Sequence, residues 1–229
     1  MSRRARLAMP NVALHIIQRG HNHGACFYAD ADYELYLSQL TELSSRFGCL
    51  VHAYALMPNH VHLLITPSEH DSAALLMKHL GQRYVQYINR TYGRSGTLWE
   101  GRFRSCMAQG ARYVLTCYRY IELNPVRACV VWHPRDYLWS SYRANAEGMP
   151  SRALAPHADY LALGPHDDAR HEAYRGLFGA ALDPQLVRQI RSATNGNFAL
   201  GSRSFMGEMA AALGCRVTPG KPGRPAKSH

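Results

Sequence analysis

Two apolar segments joined by a very short connection constrain the fold more than any other feature of this sequence. The first segment, 49–57, ends at Met57, and the second begins at His60, so only Pro58 and Asn59 lie between them. Parallel strands need a crossover of about a dozen residues or more, whereas antiparallel strands can be joined by two. The sequence therefore predicts a β-hairpin made of two neighbouring antiparallel strands.

The second strand of this hairpin carries two histidines on one of its faces. Successive side chains point to opposite sides of a strand, so alternate residues share a face. Val61, Leu63 and Ile65 form an ordinary core face. The opposite face begins with His60 and His62, a pair that can bind a divalent metal ion. Taken alone, such a pair is more often buried and hydrogen-bonded than bound to a metal.

The periodicity of the remaining apolar residues predicts a mixed α+β domain. Segments 13–19 and 102–109 have the pattern of strands, and residues 30–47 carry apolar side chains at helical spacing. Further helices are predicted from about Ser72 and from 110 to 124. The resulting order β-α-β-β-α-β is typical of the ferredoxin-like arrangement, an antiparallel sheet with helices on one face.

A cluster of Gly, Pro and Ser between 146 and 155 predicts a boundary within the chain. Before it, the aromatic residues of segment 132–142 predict a closing segment that packs against the domain. Further helices are predicted at 171–182, 183–194 and 202–214. The boundary divides the chain into a large domain (1–148), a helical region that binds DNA or stabilises that domain (149–214), and a disordered basic tail (215–229).

The net charge and its placement indicate a polyanionic partner. The formal charge is +10 at pH 7, which favours nucleic acid first and an anionic membrane second. Arginine and aromatic residues alternate between 83 and 104, a composition typical of surfaces that bind single-stranded nucleic acid. The residues predicted to contact DNA are Arg83, Tyr87, Arg90, Arg94, Arg102, Arg104, Lys221 and Arg224. The last two belong to "PGKPGRPAK", which resembles an AT-hook that can lie in a minor groove.

Several classes of protein are disfavoured by what the sequence lacks. No apolar run approaches the length of a membrane span, and no signal peptide is evident. The six cysteines are scattered without a CxxC pair, which argues against a zinc module. We therefore expect a cytoplasmic, nucleoid-associated protein with reduced thiols and no membrane partner.

A further metal ligand is expected on the helix that ends near residue 124. Tyr113, Cys117, Tyr120 and Asn124 fall on one helical face, and the last two are one turn apart. An amide oxygen beside two imidazoles can complete a metal site, and a tyrosine one turn away can then act as a nucleophile.

Three segments of the chain together resemble a known family. They are "MPNHVHLLITP" (57–67), "GTLWEGRFRS" (96–105) and "CYRYIELNPVRA" (117–128). They are similar to the HUH single-tyrosine transposases of the IS200-like type, most of all to the REP-associated tyrosine transposases of bacteria. The resemblance extends over about residues 8–145 and continues weakly through "ATNGNFALGSR". It departs at Cys129, where the family pattern has glycine.

This resemblance carries expectations about chemistry and partners. Members of the family cut single-stranded DNA near a hairpin, using a divalent metal ion and a tyrosine that becomes linked to a 5′-phosphate. The resemblance implies that His60, His62 and Asn124 bind Mg²⁺ or Mn²⁺ and that Tyr120 is the nucleophile. It implies single-stranded and hairpin DNA as partners. It leaves open whether the active form is a monomer or a homodimer.

Two other functions stay open on the sequence alone. A non-catalytic nucleic-acid-binding repressor would use the same sheet and basic surface, and a metal-dependent nuclease could use water in place of Tyr120. Some residues also have plainer interpretations. The "HNH" at 21–23 predicts a surface loop, His15 and His52 predict packing or substrate-facing groups, and Glu122 is expected to be solvated or in a salt bridge.

Overall fold

The fold is built on a five-stranded sheet. In this computed structural model, which describes residues 6–219, the strands are Ala13–Arg19 (β1), Cys49–Met57 (β2), His60–Pro67 (β3), Arg104–Ala108 (β4) and Ala199–Leu200 (β5). Their order across the sheet is β2-β3-β1-β4-β5. The first four strands pair antiparallel, which confirms the predicted hairpin and ferredoxin-like order. The fifth strand is parallel to β4 and was not predicted.

The predicted helices occur in the predicted order, together with three short helices (α4, α5 and α6 below) that were not predicted. They are Asp30–Arg46 (α1), Ser72–Thr91 (α2), Ala111–Glu122 (α3), Asn124–Arg127 (α4), Tyr142–Glu147 (α5), Ala158–Leu161 (α6), Asp167–Gly176 (α7), Pro184–Gly196 (α8) and Arg203–Leu213 (α9). The helix predicted at 171–182 begins earlier and ends at Gly176. No helix in the described part of the chain is both long and apolar enough to cross a membrane.

Helices cover both faces of the sheet. α1 and α2 pack on the face that carries Val61, Leu63 and Ile65, so the two helices of the ferredoxin-like unit do share one face as predicted. The opposite face carries small apolar side chains such as Ala53 and Ala55 and is covered by α3 and α8. The description with helices on one face was therefore incomplete, because this second face is also apolar and must be buried.

The region after residue 148 packs on the same sheet as the rest of the chain. β5 extends the sheet beyond β4, and Ile190 and Ala193 of α8 are buried against the α3 face. The Ala155 backbone N–H donates to the Val51 carbonyl at 2.7 Å. The division of the chain near residue 148 remains a prediction. Lys221 and Arg224 lie outside the described residues.

The predicted closing segment packs through only some of its aromatic side chains. Trp139 stacks on Tyr33 with ring centroids 4.6 Å apart, and the Tyr137 hydroxyl donates to the Leu56 carbonyl at 2.6 Å. The side chain of Trp132, however, is 99% exposed. The prediction was wrong for Trp132, because an aromatic pattern does not tell which rings face the core.

Glu122 connects α3 to two later helices through a buried network. Its carboxylate is fully buried and accepts hydrogen bonds from Ser141 Oγ at 2.5 Å, Asn145 Nδ2 at 2.7 Å and the Tyr174 hydroxyl at 2.7 Å. The expectation of a solvated or salt-bridged Glu122 was therefore wrong. Three neutral donors replace the water that the carboxylate loses on burial.

We expect Glu122 to make folding stability depend on pH. Burial raises the pKa of this carboxyl from 4.5 to about 7, although the three hydrogen bonds oppose the shift. Between these values the folded protein holds a proton that the unfolded chain has lost, so the unfolding free energy falls as pH rises. The total loss is roughly 3 kcal/mol, since one pKa unit corresponds to about 1.4 kcal/mol.

Urea unfolding of the native protein and Glu122→Gln at pH 4.5 and pH 8 measures this effect. The unfolding free energy of the native protein should fall relative to that of the variant as pH rises. An equal difference at both pH values would show that the carboxyl does not titrate in this window.

Cys129 occupies a backbone conformation that favours glycine. Its φ is +56°, and its N–H donates to the Val126 carbonyl at 2.9 Å after the end of α4. A residue with a Cβ pays roughly 1–2 kcal/mol in this left-handed region. We expect Cys129→Gly to raise the unfolding free energy by about 1 kcal/mol, whereas Cys129→Ala should not. Thermal unfolding of both variants provides the measurement. Equal unfolding midpoints for Cys129→Gly and Cys129→Ala would show that the backbone at this position is not strained.

Candidate active site

A cleft on the α3 face of the sheet brings the main candidate residues together. It has a volume of about 310 Å³ and lies between β1, β3, α3, α4 and α8. The four residues predicted to perform the chemistry all line it: His60, His62, Tyr120 and Asn124. Strand alternation places both histidines on this face. Tyr120 in the last turn of α3 and Asn124 at the start of α4 lie opposite them.

A third histidine lies beside the predicted pair. Ile17 of β1 pairs with His62 in the sheet, so His15 projects on the same face as His62 from the neighbouring strand. The two rings stack with centroids 5.2 Å apart, and His15 Nε2 is 2.9 Å from His62 Nδ1. His15 therefore contacts the site directly. The sequence alone left open whether His15 packs inside the fold or faces a substrate.

A chain of hydrogen bonds fixes the tautomer of His62. The Thr194 hydroxyl donates to the Ile190 carbonyl at 2.8 Å, so its oxygen accepts from His15 Nδ1 at 3.1 Å. His15 Nε2 must then accept from His62 Nδ1. His62 Nε2 is consequently unprotonated, and its lone pair faces the Asn124 amide at 2.8 Å.

His60 presents the same nitrogen to the cleft. Asn59 Nδ2 donates to the His23 carbonyl at 3.3 Å, which turns Asn59 Oδ1 toward His60. His60 Nδ1 donates to that oxygen at 2.6 Å, so His60 Nε2 is also unprotonated. His60 further interacts with the Asn124 side chain. Both rings therefore lie beside the Asn124 side chain, and the lone pair of His62 Nε2 accepts from its amide nitrogen.

All three histidines are neutral at neutral pH. Burial lowers the pKa of His15 to about 3. Burial, helped by the positive charge of Arg19, lowers the pKa of His60 to about 4. Burial also holds the pKa of His62 well below its usual value, with His15 and His60 adding to the effect. A metal ion at this site would not have to displace protons from the ring nitrogens that face it.

The donor set fits a divalent metal ion. Rotating the Asn124 amide by 180° exchanges its nitrogen for its oxygen, which would then lie beside the unprotonated Nε2 of His62. Over residues 6–219, no group of three or more His, Cys, Asp or Glu side chains could hold a metal ion. An ion held by two imidazoles and one amide would take its remaining ligands from water or substrate oxygens.

Tyr120 faces this cleft with a free hydroxyl. Its ring centroid is 5.7 Å from those of His15 and His62, and the side chain is 6% exposed. In the described part of the chain the Tyr120 hydroxyl has no hydrogen-bond partner. Its oxygen is also not fully buried. The Arg127 guanidinium lies 4.3 Å from the centre of its ring. The hydroxyl is thus available to a ligand in the cleft and has a cation nearby.

The two other tyrosines of α3 are placed differently. The Tyr118 side chain is fully buried, and its hydroxyl accepts a hydrogen bond from the His157 backbone N–H at 3.2 Å. Tyr113 lines a separate cavity with Phe198 and Leu200. The predicted distinction between Tyr120 and these two residues agrees with their positions.

The residues predicted to contact DNA fall into two groups. One group lies on α2 or just after it, on the sheet face opposite the cleft: Arg83, Tyr87, Arg90 and Arg94. Arg83 forms an ion pair with Glu42 at 2.8 Å. Arg102 and Arg104 instead line a shallow groove that shares Arg19 with the cleft. The structure therefore brings only the second group close to the candidate nucleophile.

The C-terminal region contributes cleft residues that sequence reasoning missed. Arg191, Thr194 and Asn195 of α8 line the cleft. The segment "ATNGNFALGSR" (193–203), which includes Thr194 and Asn195, continued the family resemblance weakly and was the one sequence signal for these two residues. Other expectations were met, since "HNH" at 21–23 is an exposed turn and His52 is buried with its ring bonded inside the fold.

The sequence of residues 8–124 matches the family model described as IS200-like transposase. This match covers more than half of the 229 residues and includes both β3 histidines, Tyr120 and Asn124. The chain belongs to the IS200-like transposase family. No curated protein sequence matches this transposase significantly.

One solved structure shows that the fold is shared as well. A REP-associated tyrosine transposase bound to a REP hairpin has a TM-score of 0.55, with 16% identity over 69% of this chain and 93% of that chain. A candidate transposase from Deinococcus radiodurans R1 is 15% identical, over 59% of this chain and 98% of that one. The tRNA(His) guanylyltransferase of Saccharomyces cerevisiae is 11% identical, over 77% of this chain and 82% of that one. The last two structures have TM-scores of 0.37, too low to establish a common fold.

Proposed function

We propose that this transposase cuts single-stranded DNA beside a hairpin through attack of Tyr120 on a backbone phosphate. The Tyr120 hydroxyl gives up its proton as its oxygen forms a bond to phosphorus, the bond from phosphorus to the 3′ oxygen breaks, and that oxygen takes up a proton, so no net proton is released. The 5′-phosphate stays linked to the protein and can later be attacked by another 3′-hydroxyl. The observation that carries the proposal is the free Tyr120 hydroxyl in the same cleft as two unprotonated imidazole nitrogens.

His60, His62 and Asn124 are the residues that would hold the divalent ion, Mg²⁺ or Mn²⁺. Such an ion supplies Lewis-acid stabilisation of the charge that develops on the scissile phosphate. The hydrogen-bond chain from Thr194 through His15 positions the His62 ring and sets its tautomer. Arg127 adds a positive charge beside the Tyr120 ring, which would stabilise negative charge on the attacking oxygen and the phosphate.

Hairpin and single-stranded DNA are the proposed partners. The solved transposase with the shared fold binds a REP hairpin, and in this chain Arg102 and Arg104 line a groove that leads from the cleft. Neither arginine forms an ion pair in residues 6–219. Guanidinium groups without a carboxylate partner beside a reactive cleft suit a phosphate backbone. The active unit is proposed as a monomer or homodimer.

Incubation with end-labelled hairpin DNA and Mg²⁺ or Mn²⁺, followed by denaturing gel electrophoresis, tests the proposed function. A labelled band at the size of the protein, lost on protease treatment, is the expected result. Free cleavage products without this band would indicate water as the nucleophile. A mobility shift in native gels without any cutting would indicate a repressor.

We expect Arg104→Ala to lower the salt dependence of single-strand binding more than Arg83→Ala does. Arg104 donates to Asn195 Oδ1 at 3.0 Å near the cleft, whereas Arg83 is held by Glu42. Each lost phosphate contact lowers the slope of log K against log salt by roughly 0.7 for single strands. Fluorescence anisotropy at several salt concentrations measures the slopes, and a larger drop for Arg83→Ala would place the binding surface on α2.

A further inference from the structure

A second cavity lies on the face of the sheet opposite the cleft. It has a volume of about 640 Å³, is open to solvent, and is lined by α2, the end of β1 and segment 97–103. Met77, Val85 and Phe103 form an apolar lining, and Trp99 contributes its indole ring. We call this cavity the Trp99 pocket. None of the chemistry proposed for Tyr120 uses it.

Two buried polar groups of the Trp99 pocket have no partner within the protein. Trp99 is 5% exposed and Gln18 is 8% exposed, and both line the pocket. Trp99 Nε1 and Gln18 Oε1 are buried atoms without any hydrogen bond in residues 6–219. Buried donors and acceptors are almost always satisfied, because leaving them unpaired is costly. An unmatched donor and an unmatched acceptor in the wall of one pocket would both gain a partner from a ligand that reaches them.

Gly81 lies against the Trp99 and Gln18 side chains in the wall of the pocket. It lies inside α2, where glycine is less favourable than alanine. A Cβ at this position would be 3.7 Å from Trp99 Nε1 and 3.9 Å from Gln18 Nε2. These are ordinary contact distances, so alanine would fit without strain while occupying part of the pocket.

Cations surround the opening of the pocket. Arg6, Lys78 and Arg102 line it, and none of them forms an ion pair within the described ranges. The Arg6 guanidinium stacks 4.0 Å from the centre of the Phe103 ring. A ligand with an aromatic body, hydrogen-bonding edges and a negative charge close by would match the lining, the two unpaired atoms and the rim.

We propose that the Trp99 pocket binds one unpaired nucleobase of the DNA strand. A nucleobase offers a flat ring to the apolar walls, an acceptor to Trp99 Nε1 and a donor to Gln18 Oε1. The phosphates on either side of it meet Arg6 and Arg102. This inference rests on the proposed function insofar as the strand is DNA, but it requires neither metal nor cutting.

The position of Arg102 connects the pocket to the cleft. Arg102 lines both the Trp99 pocket and the shallow groove, and the groove shares Arg19 and Asn195 with the cleft. Glu100 is the one acidic residue that lines this groove in the described structure. A strand that passes along the groove would turn around the start of β4 and present a base to the opposite face of the sheet. The pocket would thereby fix which nucleotide reaches Tyr120.

The test compares Gly81→Ala with Gly207→Ala. Gly207 lies inside α9, and a Cβ there would meet nothing within 4 Å, so the control makes the same helix substitution away from any pocket. Binding of a hairpin oligonucleotide with single-stranded flanks is measured by anisotropy in EDTA, which prevents cutting. Gly81→Ala should weaken binding roughly 10-fold, the scale of one stacked base, while its melting temperature is unchanged or raised. Gly207→Ala should bind like the native protein.

Abasic sites introduced one at a time along the flanks identify the base. Removing the base at one position should lower the affinity of the native protein roughly 10-fold. The same removal should not lower the affinity of Gly81→Ala any further, because the filled pocket no longer holds that base. Trp99→Phe, which removes Nε1 but keeps an aromatic ring, should show the same insensitivity. Native affinity in Gly81→Ala, or equal losses for all proteins at every abasic position, would overturn the proposal. Failure of the Tyr120 assay would leave this result unaffected, since no cutting is involved.

Discussion

Tyr120→Phe should eliminate the covalent protein–DNA adduct and leave hairpin affinity almost unchanged. The substitution removes one hydroxyl that has no hydrogen-bond partner in the described part of the chain, so the fold loses nothing. The adduct needs that oxygen, and its yield should fall on the order of 10⁴-fold or more. An adduct gel with one hairpin substrate and Mg²⁺, together with anisotropy in EDTA, measures both quantities.

Tyr118→Phe and Tyr113→Phe are matched controls on the same helix. At 3.6 residues per turn, the Tyr118 ring points about 200° away from Tyr120, and its hydroxyl is bonded to the His157 N–H. Tyr113 lies two turns earlier, about 10 Å along the axis. Both variants should form the adduct. If Tyr120→Phe forms it and Tyr113→Phe does not, the nucleophile is misassigned.

His60→Ala or His62→Ala should abolish cutting while most DNA affinity remains. Each change removes one of the two imidazole nitrogens that face Asn124, whereas affinity depends on arginines and stacked bases. Losing one such ligand should reduce the cleavage rate on the order of 10²-fold or more, and the double variant should show no cutting.

Titration with Mn²⁺, followed by its magnetic resonance signal, gives a readout that is independent of cleavage. Binding should weaken in both single variants. His21→Ala, which changes an exposed histidine outside the cleft, is the control and should behave like the native protein. Full cleavage by the double variant would remove His60 and His62 from the proposed metal site.

The parts of the site that the sequence predicted depend on local geometry. The short connection at Pro58 and Asn59 and the alternation of β3 were enough to place His60 and His62 on one face. Helical spacing was enough to place Tyr120 and Asn124 one turn apart. Each of these inferences uses residues that are close along the chain, where regular backbone geometry determines direction.

The parts that the sequence could not predict depend on contacts between distant segments. His15 and Thr194 are separated by 179 positions, and no periodicity connects them. Helical spacing also could not tell which sheet face α2 covers, so Arg83 was grouped with Arg104 although they lie on opposite faces. The unpaired atoms of the Trp99 pocket become visible only when β1 and segment 97–103 are packed together.

Mass spectrometry of the digested adduct tests the central claim most directly. Trypsin cuts after Arg119 and Arg127, so Tyr120 is released in the peptide Tyr120–Arg127, which contains no other tyrosine. Tyr113 and Tyr118 are released together in a separate peptide that ends at Arg119. After nuclease treatment of an adduct formed with hairpin DNA and Mg²⁺, the peptide Tyr120–Arg127 should carry a nucleotide 5′-phosphate. A nucleotide on the peptide that ends at Arg119, or on neither peptide, would contradict the central claim.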